Sequence, residues 1–522
     1  MHDLKIVNGR VLDGTGAPER CADVAVAGDR IAEVGDLSAA AARETLDAAG
    51  RIVCPGFIDV HSHSDAYLLI EPSAPSKIFQ GITTEVVGNC GASAGPRLGE
   101  CRMPSDWQAQ TYPGAWRTVA EYRALLDSVR PAPNVVMLVG HNTLRASVMG
   151  YADRAATADE LAAMRRLLER SLDEGGAGLS TGLVYAPGLY APAGEIEDLA
   201  RIVAARGGIY TSHMRSEGRR LLEAIDETIG VGRATGCRVQ VSHLKTSGPA
   251  NWGLLDGALD RIRRARDSGI EAASDRYPYT ASCTDLDVIL PDWAAAGSRA
   301  EILARLRDPA QRTRIRDGIL ATRGDGDYWD RLTIGSTRHP DNRSFAGRPV
   351  RAVAAALGVE PVDAALHLME TDELSTGGIF HGMSEDNMWR ILAEPWVMIG
   401  SDGSLRSPEG PLSHDHPHPR NYGAFPRFLR ASLDGRTVPL PEAVRKMTSL
   451  PADHFRLTGR GRIACGAQAD LVVIDPERLR DTADHARPHR LAEGVDALVV
   501  NGVVTIRSGR VTGGRGGRFL AP

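Results

Sequence analysis

Cysteine is scarce in this chain: seven residues, an odd number, scattered from Cys21 to Cys465. That pattern offers no disulfide framework, and it leaves any special cysteine to act as a ligand or a reactive thiol. Long apolar runs are missing too. Nothing approaches the ~18 consecutive apolar residues of a membrane span, so no membrane association is expected. Basic excess is absent. Lys and Arg number 61 against 66 Asp and Glu, a formal charge of -5, and such a surface does not neutralise phosphates, which argues against nucleic acid as a partner. The opening Met1-His2-Asp3-Leu4-Lys5 lacks the basic start and apolar core of a signal peptide. The cytoplasm is the expected location, and a small molecule the expected partner.

The 522 residues, 43% hydrophobic and 24% charged, suit one large globular α/β barrel with a second module. Residues 1–54 read as short β-runs punctuated by Asn8-Gly9, Gly14-Thr15-Gly16 and Gly28-Asp29. Residues 461–522 read alike, with Leu471 to Ile474 as one strand and Asn501-Gly502 as a hairpin turn. Two β segments at opposite ends predict one small β-sandwich built from both termini. Between them, residues 55–460 alternate β-branched runs with helical stretches, the sign of repeated βα units. Asp159 to Asp173 is a representative helix, with Asp159 as a candidate cap, an apolar stripe of Leu161, Met164, Leu168 and Leu172, and Gly175-Gly176 as its stop. Eight candidate strands end near His61, Asn89, His141, Thr181, His213, His243, Asp275 and Asp402. The simplest fold is a TIM-like (β/α)8 barrel. The chain between Asp275 and Asp402 is much longer than one crossover needs, so an insertion at about 290–383 is expected between strands seven and eight, over the mouth of the barrel.

Barrel active sites lie at the C-terminal ends of the strands. Here those ends carry His61, His63, Cys90, His141, His213, His243, Asp275 and Asp402, and imidazole, thiolate and carboxylate are the ligand set of zinc. His61 and His63 are two apart at a strand end, so both face one side and can grip one metal. Tyr210-Thr211-Ser212-His213 and Val239-Gln240-Val241-Ser242-His243 are β-rich runs that each terminate in Ser-His. Cys90, among glycines at a strand end, offers a thiolate that completes or bridges a zinc site. Asp402 follows the apolar run Trp396 to Ser401. Beside a metal, its expected role is general base toward the attacking water.

These residues resemble the amidohydrolase superfamily, and within it the N-acyl-D-amino-acid deacylase (D-aminoacylase) family. The motifs are Gly88-Asn89-Cys90-Gly91, Gly140-His141-Asn142-Thr143-Leu144-Arg145, Gly178-Leu179-Ser180-Thr181-Gly182-Leu183, Ser242-His243-Leu244-Lys245, Tyr277-Pro278-Tyr279 and Tyr422-Gly423-Ala424-Phe425-Pro426-Arg427. The resemblance implies that Cys90, His213 and His243 hold a tight zinc. His61 and His63, with Cys90 bridging, form a second and weaker position. It implies Asp402 as catalytic acid/base, Tyr185 as the group polarising the scissile carbonyl, and Lys245 and Tyr277 as binders of the substrate α-carboxylate. The family's third contact, a serine six positions after that tyrosine, falls here on Cys283, with Ser282 just before it. The expected reaction is hydrolysis of an N-acyl-D-amino acid. An L-Xaa-D-Xaa dipeptidase using the same site is the alternative. A hydantoinase- or dihydroorotase-like activity is disfavoured, because the strand-four end, Gly178 to Gly182, offers no lysine to bridge two metals.

Overall fold

The computed structural model describes residues 1–108 and 110–521. The β-branched runs become eight parallel strands: Phe57–Asp59, Ile82–Val87, Asn134–Met137 with its continuation Val139–Gly140, Gly178–Gly182, Ile209–His213, Arg238–Val241, Ala272–Arg276 and Val397–Ile399. Neighbours pair in parallel around the ring. The third strand is interrupted at Leu138, whose amide still donates to the Val87 carbonyl at 2.9 Å. The ring closes between strands eight and one through a parallel bridge, Ser62 to Gly403. The Asp402 amide donates to the His61 carbonyl at 2.8 Å, and the His63 amide to the Gly403 carbonyl at 3.2 Å. Closure is thus made by the segments that carry the H-x-H pair and the aspartate, which fixes their spacing by backbone hydrogen bonds.

The representative helix is Ala158–Asp173, with Met164 and Leu168 buried on its inner stripe. Its cap is Thr157, not Asp159. Thr157 accepts from the Glu160 amide while Glu160 reaches back to the cap amide, and this reciprocal box satisfies two free N–H groups where a lone aspartate satisfies one.

The termini do share a module. Five N-terminal and four C-terminal strands form one nine-stranded sheet, with Ile52–Pro55 pairing antiparallel to Leu471–Ile474. The two-residue strand period divides its side chains cleanly. Val53, Leu471, Val473, Ala497 and Val499 enter the module's own core. Ile52, Cys54, Val472, Ile474, Leu498 and Val500 face the other way and pack with Phe57, Ile82 and Val135 of the barrel.

The insertion after strand seven is an antiparallel sheet in the order Ala281–Asp285, Gly377–His381, Leu332–Ile334. It carries four helices, Arg299–Arg307, Pro309–Arg323, Val350–Leu357 and Pro361–Thr371, around a core that includes Leu306, Trp329 and Ile334. Its first strand starts at Ala281, ahead of the boundary expected at 290. Ala281-Ser282-Cys283-Thr284-Asp285 has no large apolar side chain to mark it and is a strand by its pairing with Gly377–His381. The helix Glu385–Ala393 then serves as the crossover into strand eight. Among the described residues, no single helix is long and apolar enough to cross a membrane.

Candidate active site

The strand ends bring the expected donors together. His61 and His63 follow strand one, Cys90 strand two, His213 ends strand five, His243 follows strand six and Asp402 strand eight. Three of these residues, Cys90, His243 and Asp402, have left-handed backbones with φ of 53°, 36° and 49°. Such conformations are disfavoured for side chains with a Cβ, and they concentrate where function demands a particular aim.

The resulting cluster is tight. His61 Nε2 lies 3.2 Å and His243 Nε2 3.5 Å from Cys90 Sγ. His213 Nδ1 is 3.1 Å from His243 Nε2. Asp402 Oδ1 is 3.3 Å from His61 Nε2 and 3.1 Å from His63 Nε2. One donor atom each of His61, Cys90, His243 and Asp402 lies within 4.8 Å of the others. Burial alone would favour the neutral thiol, but the charge of His61 and hydrogen bonds from His213 and His243 hold Cys90 well below the usual thiol range. Burial likewise opposes ionisation of Asp402, and Arg420, His243 and His61 overcome it and keep the carboxyl well below the usual carboxylate range. A buried thiolate, imidazoles and a carboxylate aimed at a common point are a donor set suited to zinc.

Behind these donors stand carboxylates. Asp275 Oδ2 lies 3.1 Å from His61 Nδ1, and Gln240 donates to its other oxygen at 2.7 Å. Glu217 Oε1 lies 2.9 Å from His243 Nδ1 and pairs with Lys245 Nζ. Asp275 was foreseen as a strand-end residue. Its place is behind His61, with Nδ1 toward the carboxylate and Nε2 toward Cys90 and Asp402.

The residues expected to bind substrate line or underlie one cavity of about 1270 Å³, walled on one side by the insertion. Tyr185 faces it, its hydroxyl 3.0 Å from Thr284 Oγ1 and its ring edge-on to His213. Burial and the neighbouring Cys90 charge raise the Tyr185 phenol well above its usual value, so it keeps its proton. Lys245 is buried beside His243. Tyr277 does not line the cavity. It is fully buried beneath it, and its hydroxyl has no hydrogen-bond partner among the described residues. Its ring is faced by Arg276, Arg420 and Lys245 at 4.3, 4.6 and 5.9 Å. Ser282 and Cys283 both reach the cavity from the first insertion strand. Burial pushes the Cys283 thiol up to about 11.

Arg420 is one residue that sequence reasoning passed over. It is buried, its Nη1 donates to Asp402 Oδ2 at 2.7 Å and its Nη2 to the Cys283 carbonyl at 3.2 Å. The only signal available was its position in Pro417-His418-Pro419-Arg420, just ahead of the Tyr422 motif. His141, by contrast, is no part of the cluster. Strand three stops at Gly140, His141 begins the helix His141–Met149, and its Nε2 turns outward to Glu195 Oε1 at 2.8 Å, where Arg145 joins the pair. The strand-end residues Asn89 and Thr181 are buried in the barrel and bond to Val86 O and to the Tyr210 and Ser212 hydroxyls.

A metal-suited cluster on a barrel of this kind invites comparison with known proteins. Residues 44–506 match the model of the amidohydrolase family. The N-acyl-D-glutamate deacylase of Alcaligenes xylosoxydans xylosoxydans is 40% identical over 96% of this chain and 93% of its own. The chain belongs to the amidohydrolase family. Within that family, a D-aminoacylase of the same organism is 38% identical, over 99% of this chain and 97% of its own. Among solved structures, the N-acyl-D-glutamate deacylase of Bordetella bronchiseptica, complexed with zinc and a phosphonate mimic of the tetrahedral intermediate, superposes with a TM-score of 0.85. It is 37% identical, with both chains covered in full. This amidohydrolase therefore shares its whole architecture, insertion and terminal sheet included, with the D-amino-acid deacylases.

Proposed function

We propose that this amidohydrolase cleaves the amide bond of N-acyl-D-amino acids, releasing a carboxylate and a D-amino acid, with zinc as its metal. One observation carries the reading: the thiolate–imidazole cluster shares one cavity with a cationic pair, Lys245 and Arg420, which both face the buried Tyr277 ring. A simple amide needs only the first. A substrate with a free α-carboxylate uses both. Both the sequence relative and the crystal structure named as N-acyl-D-glutamate deacylases act, by those names, on such compounds.

Cys90, His213 and His243 are assigned to the tight zinc position. His61 and His63, sharing Cys90, form a weaker second one, with Asp402 at its edge. The contacts of Cys90 Sγ with both His61 and His243 support the shared role. Zinc there supplies Lewis acidity, which polarises an acyl carbonyl and acidifies water. Asp402 is the proton carrier. Its Oδ2 is occupied by Arg420, and Oδ1 faces the cluster, so one oxygen is aimed to take a proton from the attacking water and return it to the leaving nitrogen. Tyr185, retaining its proton, donates to the acyl oxygen as negative charge develops there. Lys245 and Arg420 hold the α-carboxylate from the cavity wall, and the Tyr277 hydroxyl, beneath them, is the donor assigned to meet it from below. Ser282 or the protonated Cys283 thiol supplies a further donor, the thiol being the weaker. With carboxylate and amide both pinned, only one hand at the α-carbon sends its side chain into the cavity, which selects the D-enantiomer.

The deciding experiment is a panel of N-acetyl-D-amino acids, their L-enantiomers, L-Xaa-D-Xaa dipeptides and a hydantoin, assayed with zinc-loaded enzyme. Hydrolysis confined to linear amides of D-amino acids is the expected result. Turnover of L-enantiomers at equal rates, or of the hydantoin alone, would overturn the assignment.

A further inference from the structure

Glu217 belongs to no motif singled out in the sequence, and the reaction above has no step for it. Its placement is nevertheless specific. It stands four residues beyond His213 on the loop after strand five, and its carbonyl accepts from the Ser247 amide at 2.7 Å, tying that loop to the one after strand six. Its Oε1 lies 2.9 Å from His243 Nδ1 and receives the Lys245 ammonium, while His213 Nε2 is 4.0 Å away.

The side of each imidazole decides what Glu217 can do. His243 presents Nε2 to Cys90 and to His213, and His213 presents Nδ1 to His243. Glu217 sits at the opposite nitrogen of both rings. An ion held at the inner nitrogens is therefore out of its direct reach. A carboxylate behind a metal-binding histidine fixes the tautomer, turns the ring and raises the basicity of the donor nitrogen. The same oxygen is the counter-ion of buried Lys245. In a site with Nδ1 of His243 protonated, ring and ammonium are two proton donors 2.8 Å apart, and a single acceptor between them is what lets both occupy that space.

We propose that Glu217 is a positioning residue that serves two partners through one oxygen. It fixes His243 for zinc, and it holds Lys245 as the charged reader of the substrate carboxylate. The proposal rests on the zinc-deacylase reading above and adds the device that joins its two halves. Asp275 performs only the first task, behind His61, and Asp402 reaches the two subsites with separate oxygens, whereas Glu217 joins them through one.

Two variants of the whole enzyme test it. Glu217→Gln keeps an acceptor oxygen for the His243 Nδ1–H and loses only charge, whereas Glu217→Ala loses both. Zinc affinity, read by competition with a chromophoric chelator and without substrate, should fall in graded order, about 10-fold for Gln and about 100-fold for Ala. At saturating zinc, KM for an N-acetyl-D-amino acid should rise about 10-fold in both variants, the scale of a lost charge-assisted contact, with KM for the matching N-acetyl-D-amino-acid amide unchanged. Zinc affinity within twofold of the parent in both variants would overturn the His243 role. Equal and complete loss of zinc in both would make Glu217 a ligand and overturn the positioning role. A KM that moves equally for acid and amide would overturn the Lys245 role. Because the zinc measurement needs no turnover, its outcome stands apart from the substrate panel, which alone bears on the deacylase reading.

Discussion

Replacing Asp402 by Asn tests the proposed proton carrier directly. The side chain is 9% exposed, and its two oxygens are divided between Arg420 on one side and His61 and His63 on the other. Asparagine has nearly the same volume and can leave its amide oxygen toward Arg420, so the shape of the site survives. Its NH₂ then faces the cluster in place of Oδ1 and cannot accept a proton. Loss of a positioned general acid–base costs about 10²- to 10⁴-fold in rate, which is about 2.7–5.4 kcal/mol of transition-state stabilisation at 1.36 kcal/mol per decade. Arg420 stays cationic and donates to a neutral amide oxygen, and giving up the buried counter-charge while keeping that charge-assisted bond costs about 1–3 kcal/mol, which leaves the fold intact. The assay is kcat at saturating zinc on the best substrate of the panel, with zinc content by elemental analysis and a thermal melt on the same sample. A kcat within threefold of the parent, with zinc retained, would refute the argument and reduce Asp402 to a brace for Arg420.

Two further changes probe its surroundings. Arg420→Met removes the cation that, against the burial penalty, contributes most to keeping Asp402 ionised. The base works only when ionised, so activity is lost as pH falls through its pKa. That pKa rises in the variant, and the acid limb of the pH–kcat profile should move to higher pH; an unmoved limb would show that Arg420 does not tune Asp402. Glu195→Ala strips the buried counter-ion from Arg145 and His141 and should destabilise the fold by about 3–5 kcal/mol, read by urea unfolding, while the folded fraction keeps its zinc. Loss of zinc at full stability would return His141 to the metal site.

What the sequence could and could not convey follows from how far each signal travels along the chain. The H-x-H of strand one and the Ser-His endings of strands five and six are local: a strand period and a strand end suffice to place His61, His63, His213 and His243 on one rim. Cys90 and Asp402 were placed by the same rule, although their left-handed backbones have no sequence signal of their own. The rule misleads at His141, because strand three ends one residue earlier and the imidazole joins a helix. Arg420 and Glu217 act across loops. Arg420 meets Asp402 eighteen positions away and Lys245 meets Glu217 twenty-eight positions away, and no periodicity links such pairs. The insertion's first strand was hidden for a similar reason, since Ala281–Asp285 is a strand only by virtue of a partner at Gly377–His381.

The shared terminal sheet has a consequence for how this chain is made. Strand Ile52–Pro55 emerges from the ribosome early, yet its partner Leu471–Ile474 comes only after the whole barrel and insertion have been synthesised. Until then that edge of Ile52–Pro55 waits without its partner. Unpaired edges and exposed apolar faces are the surfaces on which nascent chains aggregate. A chain ending before Leu471 would keep every proposed catalytic residue and still leave that seam open, so yield of soluble protein, rather than turnover, should be the first property to suffer from such a C-terminal truncation.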